Sequence, residues 1–324
     1  MLRLGTRGSA LALWQARTVA QLIAQAGGPA CEIVTIKTSG DRLQEAPLSD
    51  VGGKRLFVKE IEDALLRHDI DLAVHSSKDM PALLPDGLAI AAVLEREDPL
   101  DAVVLPRREG APASPLTDAS SLVARLGAAP SIGTSSVRRV AQLLRLFPNA
   151  RFTPIRGNLD TRLRKLDAGE YDMLVLAAAG LRRLGWSDRI SLTLDAATCV
   201  PAPGQGIVAI EIRIGDARTY EAVAAINNPL AAAALVAERA VVERLGGGCQ
   251  TPIGALAVPA GADDLELVGA VVALDGSRAV RASLRGRRSD AAIIGIQVAE
   301  RLLASGASDI LDEVRRAQAG LPQH

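Results

Sequence analysis

The chain has 324 residues, too many for one simple core and enough for two or three domains. A hydrophobic content of 48% with 23% charged residues is the balance of a globular protein and excludes general disorder. A formal net charge of zero and only 2% aromatic residues argue against phosphate-backbone binding and base stacking, so no nucleic-acid partner is expected.

The N-terminal LRLGT (2–6) reads as a strand, followed by a helix with Leu11, Trp14, Val19, Leu22, Ile23 and Ala26 on one stripe. This start lacks the apolar stretch of a signal peptide, and no later run reaches the length of a membrane span. A cytoplasmic protein without a membrane partner is therefore expected. EIVTIKT (32–38), IDLAVHS (70–76) and GLAIAAVLE (87–95) are predicted strands, with a helix over LFVKEIEDALLRH (56–68). Strand alternating with helix is the pattern of a largely parallel sheet.

The plan then repeats. PSIGTSSVRRVAQLLRLF (130–147) has the format of LRLGTRGSALALWQARTV (2–19): strand, Gly-Thr turn, serine, helix. RKLDAGEYDMLVLAAAG (164–180) likewise echoes EDALLRHDIDLAVHSSKD (62–79). Two doubly wound α/β domains are expected, with ligands held where strand C-termini meet helix N-termini. EREDP (95–99) and TCVPAPGQG (198–206) would cross between them, and GQGIVAIEIR (204–213) would return a strand to the first. The expected domains are 1–96 with 201–220, then 97–200, then 221–324. In the last, the helix PLAAAALVAERAVVERL (229–245) precedes three short strands and a closing helix, DAAIIGIQVAERLLASG (290–306), which is the pattern of a smaller α+β domain.

Several stretches carry chemistry. GTRGS (5–9) and GTSSVRR (133–139) place backbone N–H groups, hydroxyls and arginines (Arg7, Arg138, Arg139) at helix N-termini, where anions bind. RGNLDTR (156–162) and LRRLG (181–185) add further arginines, so the cleft suits carboxylates. HSSKD (75–79) puts Lys78 and Asp79 at a strand end, and there Asp79 could stabilise a developing cation. His75 alone reads as a structural histidine. The loop 42–58 contains Lys54 among glycines before a helix, the composition of a lid. Cys31, Cys199 and Cys249 show no paired spacing, so neither a disulfide nor a metal site is expected. Cys249 stands out because GGGCQTPIG (246–254) strips away neighbouring side chains and leaves room beside a thiol.

In order along the chain, GTRGSALALWQA, VGGKRLFVKE, AVHSSKDMP, GTSSVRR, IRGNLDTRL, AGLRRLG, PAPGQG and GGGCQTPIG closely resemble the porphobilinogen deaminase family. The resemblance spans nearly the whole chain. It implies two periplasmic-binding-protein-like domains plus a smaller α+β domain. It also implies head-to-tail condensation of four porphobilinogen molecules, with ammonia released, to give hydroxymethylbilane. The family works on a covalent dipyrromethane cofactor joined by a thioether to the loop cysteine, which by match is Cys249. Asp79 matches the carboxylate that supports the cationic azafulvene left by ammonia. Arg7, Arg138, Arg139, Arg156, Arg162 and Arg183 match the arginines that grip acetate and propionate groups. Ser9, Ser76, Lys78, Thr134, Ser135, Ser136, Asn158 and Gln205 match supporting contacts, Lys54 matches a lid lysine, and a monomer is implied. Asp50, where some members carry lysine, and Ser77, where the motif has a bulkier residue, are the departures. The rival is a non-catalytic anion-binding protein of the same two-domain plan. It accounts for the arginines but not for Cys249, Asp79 or a third domain.

Overall fold

The computed structural model describes residues 1–39, 58–107, 116–247 and 250–319. Lys54, Asp50, Cys249 and all of the expected lid except Val58 lie outside the described residues.

Strands are numbered along the chain. The first domain is built on β1 (Leu2–Thr6), β2 (Cys31–Thr35), β3 (Leu72–Ser76) and β4 (Leu88–Val93), completed by β10 (Val208–Arg213) in the order β2-β1-β3-β10-β4. The second uses β5 (Asp101–Val104), β6 (Ser131–Gly133), β7 (Arg151–Thr153), β8 (Met173–Ala177) and β9 (Leu192–Leu194) in the order β7-β6-β8-β5-β9. The two orders superimpose position for position. In each sheet the fourth strand runs antiparallel to its neighbours and follows a crossing: β5 after the first, β10 after the second. Each domain therefore owes one strand to a segment that has just arrived from the other.

Local chemistry starts the helices that face the cleft. The Ser9 side chain caps the helix Ala10–Gln25 by accepting from the Ala12 N–H, and Ser136 caps Val137–Leu144 by accepting from the Arg139 N–H. Both follow a glycine–threonine turn at the end of a buried strand, so the two cleft walls carry equivalent helix N-termini.

The third domain is an antiparallel sheet of β11 (Ile253–Pro259), β12 (Asp264–Val272) and β13 (Ala279–Arg287). The helices Pro229–Arg244 and Ala291–Leu302 cover one face, where Val241, Val298 and Leu302 close on Gly269. The chain does not end with the 290–306 helix, as the sequence pattern suggests. Gly306 takes a left-handed conformation (φ 97°), and a further helix, Ser308–Ala319, buries Ile310, Leu311 and Val314. On the other face, Leu256 and Ala270 pack against Val200 in the second crossing. No helix among the described residues is long and apolar enough to cross a membrane.

The crossings are joined to each other and to the third domain. Glu238 is fully buried, and its carboxylate accepts from Arg96 Nη1 (2.6 Å), the Gly204 N–H (2.6 Å) and the Ala257 N–H (2.7 Å). The Gly206 carbonyl accepts from the Glu97 N–H at 3.0 Å, with Gly206 at φ 86°. A Cβ on Gly206 would lie 2.2 Å from the Glu97 carbonyl oxygen, which is backbone and cannot swing away. Gly206→Ala should therefore destabilise the protein by about 2–3 kcal/mol or more, through left-handed strain plus the clash. Thermal denaturation checks this, with Gly169→Ala as the control, since that glycine is also left-handed but faces open space.

Candidate active site

A cavity of about 680 Å³ opens between the carboxyl ends of the two large sheets and the third domain. Arg7, Ser9, Ser76, Lys78, Asp79, Ser135, Ser136, Arg138, Arg139, Arg156, Asn158, Arg162 and Gln205 all line it. The first domain brings Arg7 and Ser9 on the turn after β1, and Ser76 to Asp79 on the end of β3. The second brings the turn after β6 and the segment before the helix Leu159–Asp167. From the third domain, Gly247, Gln250 and Thr251 reach the same cavity, on either side of the loop position expected to carry the reactive thiol.

The sequence reading assigns Arg138 and Arg139 to the carboxylates of a ligand. The structure gives both a carboxylate within the protein. Arg138 Nη1 donates to Asp101 Oδ2 at 2.7 Å, while Arg139 donates to Asp101 Oδ1 through Nε (3.0 Å) and Nη2 (2.7 Å). Gln205 Nε2 adds a further bond to Asp101 Oδ1 at 2.9 Å. Asp101 is fully buried, and Arg138 and Arg139 are nearly so. Burial alone would push the Asp101 carboxyl up, but the charges and hydrogen bonds of the two arginines hold it far below the usual carboxylate range. One carboxylate against two guanidiniums leaves a positive surplus at the cavity wall.

That surplus continues along the second domain. Arg162 donates from Nε to the Gly157 carbonyl (2.8 Å). Burial, followed by the charge of neighbouring Arg139, draws Arg162 down to about 10 despite the opposing pull of Asp79. Lys78 Nζ donates to Gln205 Oε1 at 3.4 Å, which ties the first domain to the Asp101 cluster. Ser135 is committed locally: its hydroxyl donates to the Ile155 carbonyl and accepts from the Ile155 N–H. His75 is buried in the first sheet, with Nε2 3.1 Å from Glu211 Oε2, so it serves the sheet interior.

Two expected site residues are not on the cavity wall. Thr134 is buried, and its hydroxyl accepts from the Ser136 N–H, which shapes the turn. Arg183 lies with its guanidinium over the ring of Trp14, 5.7 Å from the centroid, and donates from Nη2 to the Gly206 carbonyl at 2.7 Å. Two residues escaped the sequence reading. Asp101 is one, and its only sequence signal was a lone acid opening the apolar run DAVVL after a crossing. Gln15 is the other: buried behind Ser76, it exchanges hydrogen bonds with that hydroxyl and lines a smaller cavity of about 70 Å³ beside Asp79.

Asp101→Asn should leave two buried cations without their counter-charge and cost about 3–5 kcal/mol of stability. Because the folded carboxyl is depressed, its contribution is present above the unfolded value of about 3.9 and lost as pH falls through and below it. Denaturant titrations should show a large deficit that is constant from pH 7 to about 5 and shrinks only as pH falls below about 3.9. An equal deficit at every pH would point to packing alone.

The family model for the porphobilinogen deaminase dipyrromethane cofactor binding domain matches residues 2–221, and that for the porphobilinogen deaminase C-terminal domain matches 232–304. Porphobilinogen deaminase from Trichlorobacter lovleyi is 47% identical over 314 residues, covering 97% of this chain and 96% of that one. The enzyme of the same name from Acidithiobacillus ferrooxidans is 47% identical over 320 residues, covering 98% and 99%. Among solved structures, immunogenic lipoprotein A from Vibrio vulnificus is similar at 13% identity and a TM-score of 0.43, over 71% of this chain and 96% of that one. With both family models in register along the chain and near-full-length relatives at this identity, the chain belongs to the porphobilinogen deaminase family.

Proposed function

We propose that the cavity between the three domains is the condensation site of this porphobilinogen deaminase, with Cys249 as the attachment point of its dipyrromethane and Asp79 as its catalytic carboxylate. The enzyme joins four porphobilinogen molecules head to tail, releases ammonia, and yields hydroxymethylbilane in tetrapyrrole biosynthesis. The observation that carries the site assignment is a juxtaposition in one cavity. Arg162 and its neighbours present a cationic surplus, and Gly247 and Gln250, on either side of Cys249 in the sequence, line the same space.

The residues present fit an anionic dipyrromethane. Its acetate and propionate groups would meet Arg7, Arg156 and Arg162, with Ser9, Ser76, Ser136, Lys78 and Asn158 as nearer polar contacts. When bound, it supplies the terminal pyrrole α-carbon to which each incoming unit is joined. In each cycle the aminomethyl C–N bond of the substrate breaks, and ammonia leaves with the electron pair. Asp79 lines the cavity, and its carboxylate would oppose the positive charge left on that substrate ring. The bound group would supply the α-carbon for the new C–C bond, and the proton released there would leave with the ammonia as ammonium. Stabilising a charge that appears only along the reaction is what lowers the barrier. The surrounding arginines bind the carboxylates, which do not react, and so hold both partners in line.

The domain boundaries at 96/97, 200/201 and 220/221 belong to the same reading, as do Lys54 as a lid residue and a monomeric, cytoplasmic enzyme. A non-catalytic anion-binding protein would explain the arginines, but it gives no work to Asp79 or to Cys249.

Intact-protein mass spectrometry is the direct test. The active protein should exceed its sequence mass by two porphobilinogen units less two ammonias, with the increment on the Cys249 peptide. Cys249→Ala should lack it and should melt at a lower temperature, because the cavity cations then have no ligand carboxylates to face. An active enzyme with unmodified Cys249 would overturn the attachment. Asp79→Ala should keep the added mass but lose about 10²–10³-fold or more in turnover, and steady-state assays with porphobilinogen measure that loss. Cys199 should resist thiol reagents in the native protein, since burial pushes its thiol up to about 12.

A further inference from the structure

Arg183 is the one arginine of the expected carboxylate-binding set that does not line the cavity. It ends the helix Ala178–Arg183 of the second domain, at the place where the two crossings run side by side. Its neighbour Arg182 pairs with Asp98 of the first crossing at 3.0 Å, while Arg183 itself donates to the Gly206 carbonyl of the second at 2.7 Å. The remaining face of the guanidinium is covered by Trp14, which stands on the first domain's helix Ala10–Gln25. Trp14 is 36% exposed, so burial alone does not explain its place. One turn away the same two helices approach closely, since a Cβ on Gly180 would lie 3.7 Å from Leu11 Cδ2.

We propose that Trp14 is a positioning residue: by stacking on Arg183 it latches the second domain to the first and sets the closed geometry of the cleft. This rests on the functional reading above. A cation over an indole face is held by the ring quadrupole, and the contact strengthens as the cation loses water. Here burial draws Arg183 down to about 10, opposed by Glu97, so the guanidinium has already given up much of its hydration. The contact joins side chains of different domains, so it forms only when the walls are together. A cavity of about 680 Å³ is the size that takes one drug-sized ligand. A four-unit product needs more room, so the walls must part as the chain grows, and a weak, re-formable contact suits that cycle.

Losing the latch lowers the fraction of molecules in the closed, binding-competent state, and the apparent affinity falls by that fraction. Trp14→Leu, which keeps an apolar side chain but removes the π face, should raise KM for porphobilinogen about 3- to 10-fold with kcat within about twofold. Trp14→Phe should recover most of the loss. In Trp186→Phe protein, where Trp14 is the only tryptophan, emission should shift as substrate is added and return on product release. Equal loss in the Leu and Phe variants would make the contact one of packing and overturn the proposal. So would an unchanged KM in Trp14→Leu protein that carries the dipyrromethane mass, with the functional reading left intact. Wild-type protein lacking that mass while active would overturn both.

Discussion

The site depends on one buried carboxylate. Asp101 accepts from Arg138, Arg139 and Gln205, and it is the acid that allows two guanidiniums to be taken out of water side by side. A buried ion pair is not in itself a source of stability, because desolvation of both partners opposes it. What it provides here is position. The arginines are fixed in the wall before any ligand arrives, and because the acid is outnumbered, the wall stays positive. The same cluster governs the sulfur beside it. Cys199 lies 3.4 Å from both Asp101 Oδ2 and Arg138 Nη1, and burial keeps it a thiol. The thiol beside the cluster is thus held in an unreactive form.

Three consecutive residues of the second crossing each serve a different part of the molecule. The Gly204 N–H donates to Glu238 of the third domain, Gln205 links Asp101 with Lys78, and the Gly206 carbonyl receives Glu97 and Arg183. Two of the three are left-handed glycines, and a side chain at either would strike a neighbour. The chain is thin here because many partners must approach it closely.

The doubled plan was legible because its signals are local. A Gly-Thr turn, a capping serine and a helix stripe can be read within twenty residues, and so could the loops that converge on the cavity. What escaped depends on distance or shortness. β9 spans three residues and β5 four, too few for an alternation to register. Asp101 meets its arginines across 37 and 38 positions, a pairing no spacing rule exposes. Arg183 shows a subtler limit. A motif can say which loop reaches the site, but a long side chain can turn to a partner elsewhere, as Arg183 does to Trp14. The last helix, Ser308–Ala319, was missed because its polar positions hide a three-residue apolar face.

The third domain is docked on the crossings and on both larger domains: Ala231 and Leu235 pack with Met80 and Val93 of the first, and Arg145 of the second donates to the Gly276 carbonyl. Glu238 holds Arg96 and Gly204, and β11 passes so close to Val200 that Gly254 has no room for a side chain. When two bodies swing about a common axis, displacement grows with distance from that axis and vanishes on it. A domain tied to both bodies cannot follow either one freely. Gly247 and Gln250 of that domain line the cavity, so on the proposed attachment at Cys249 a growing molecule would have its fixed end held by a domain that follows neither wall. Its free end alone would sweep the enlarging space, as the tip of a compass needle moves while its pin does not.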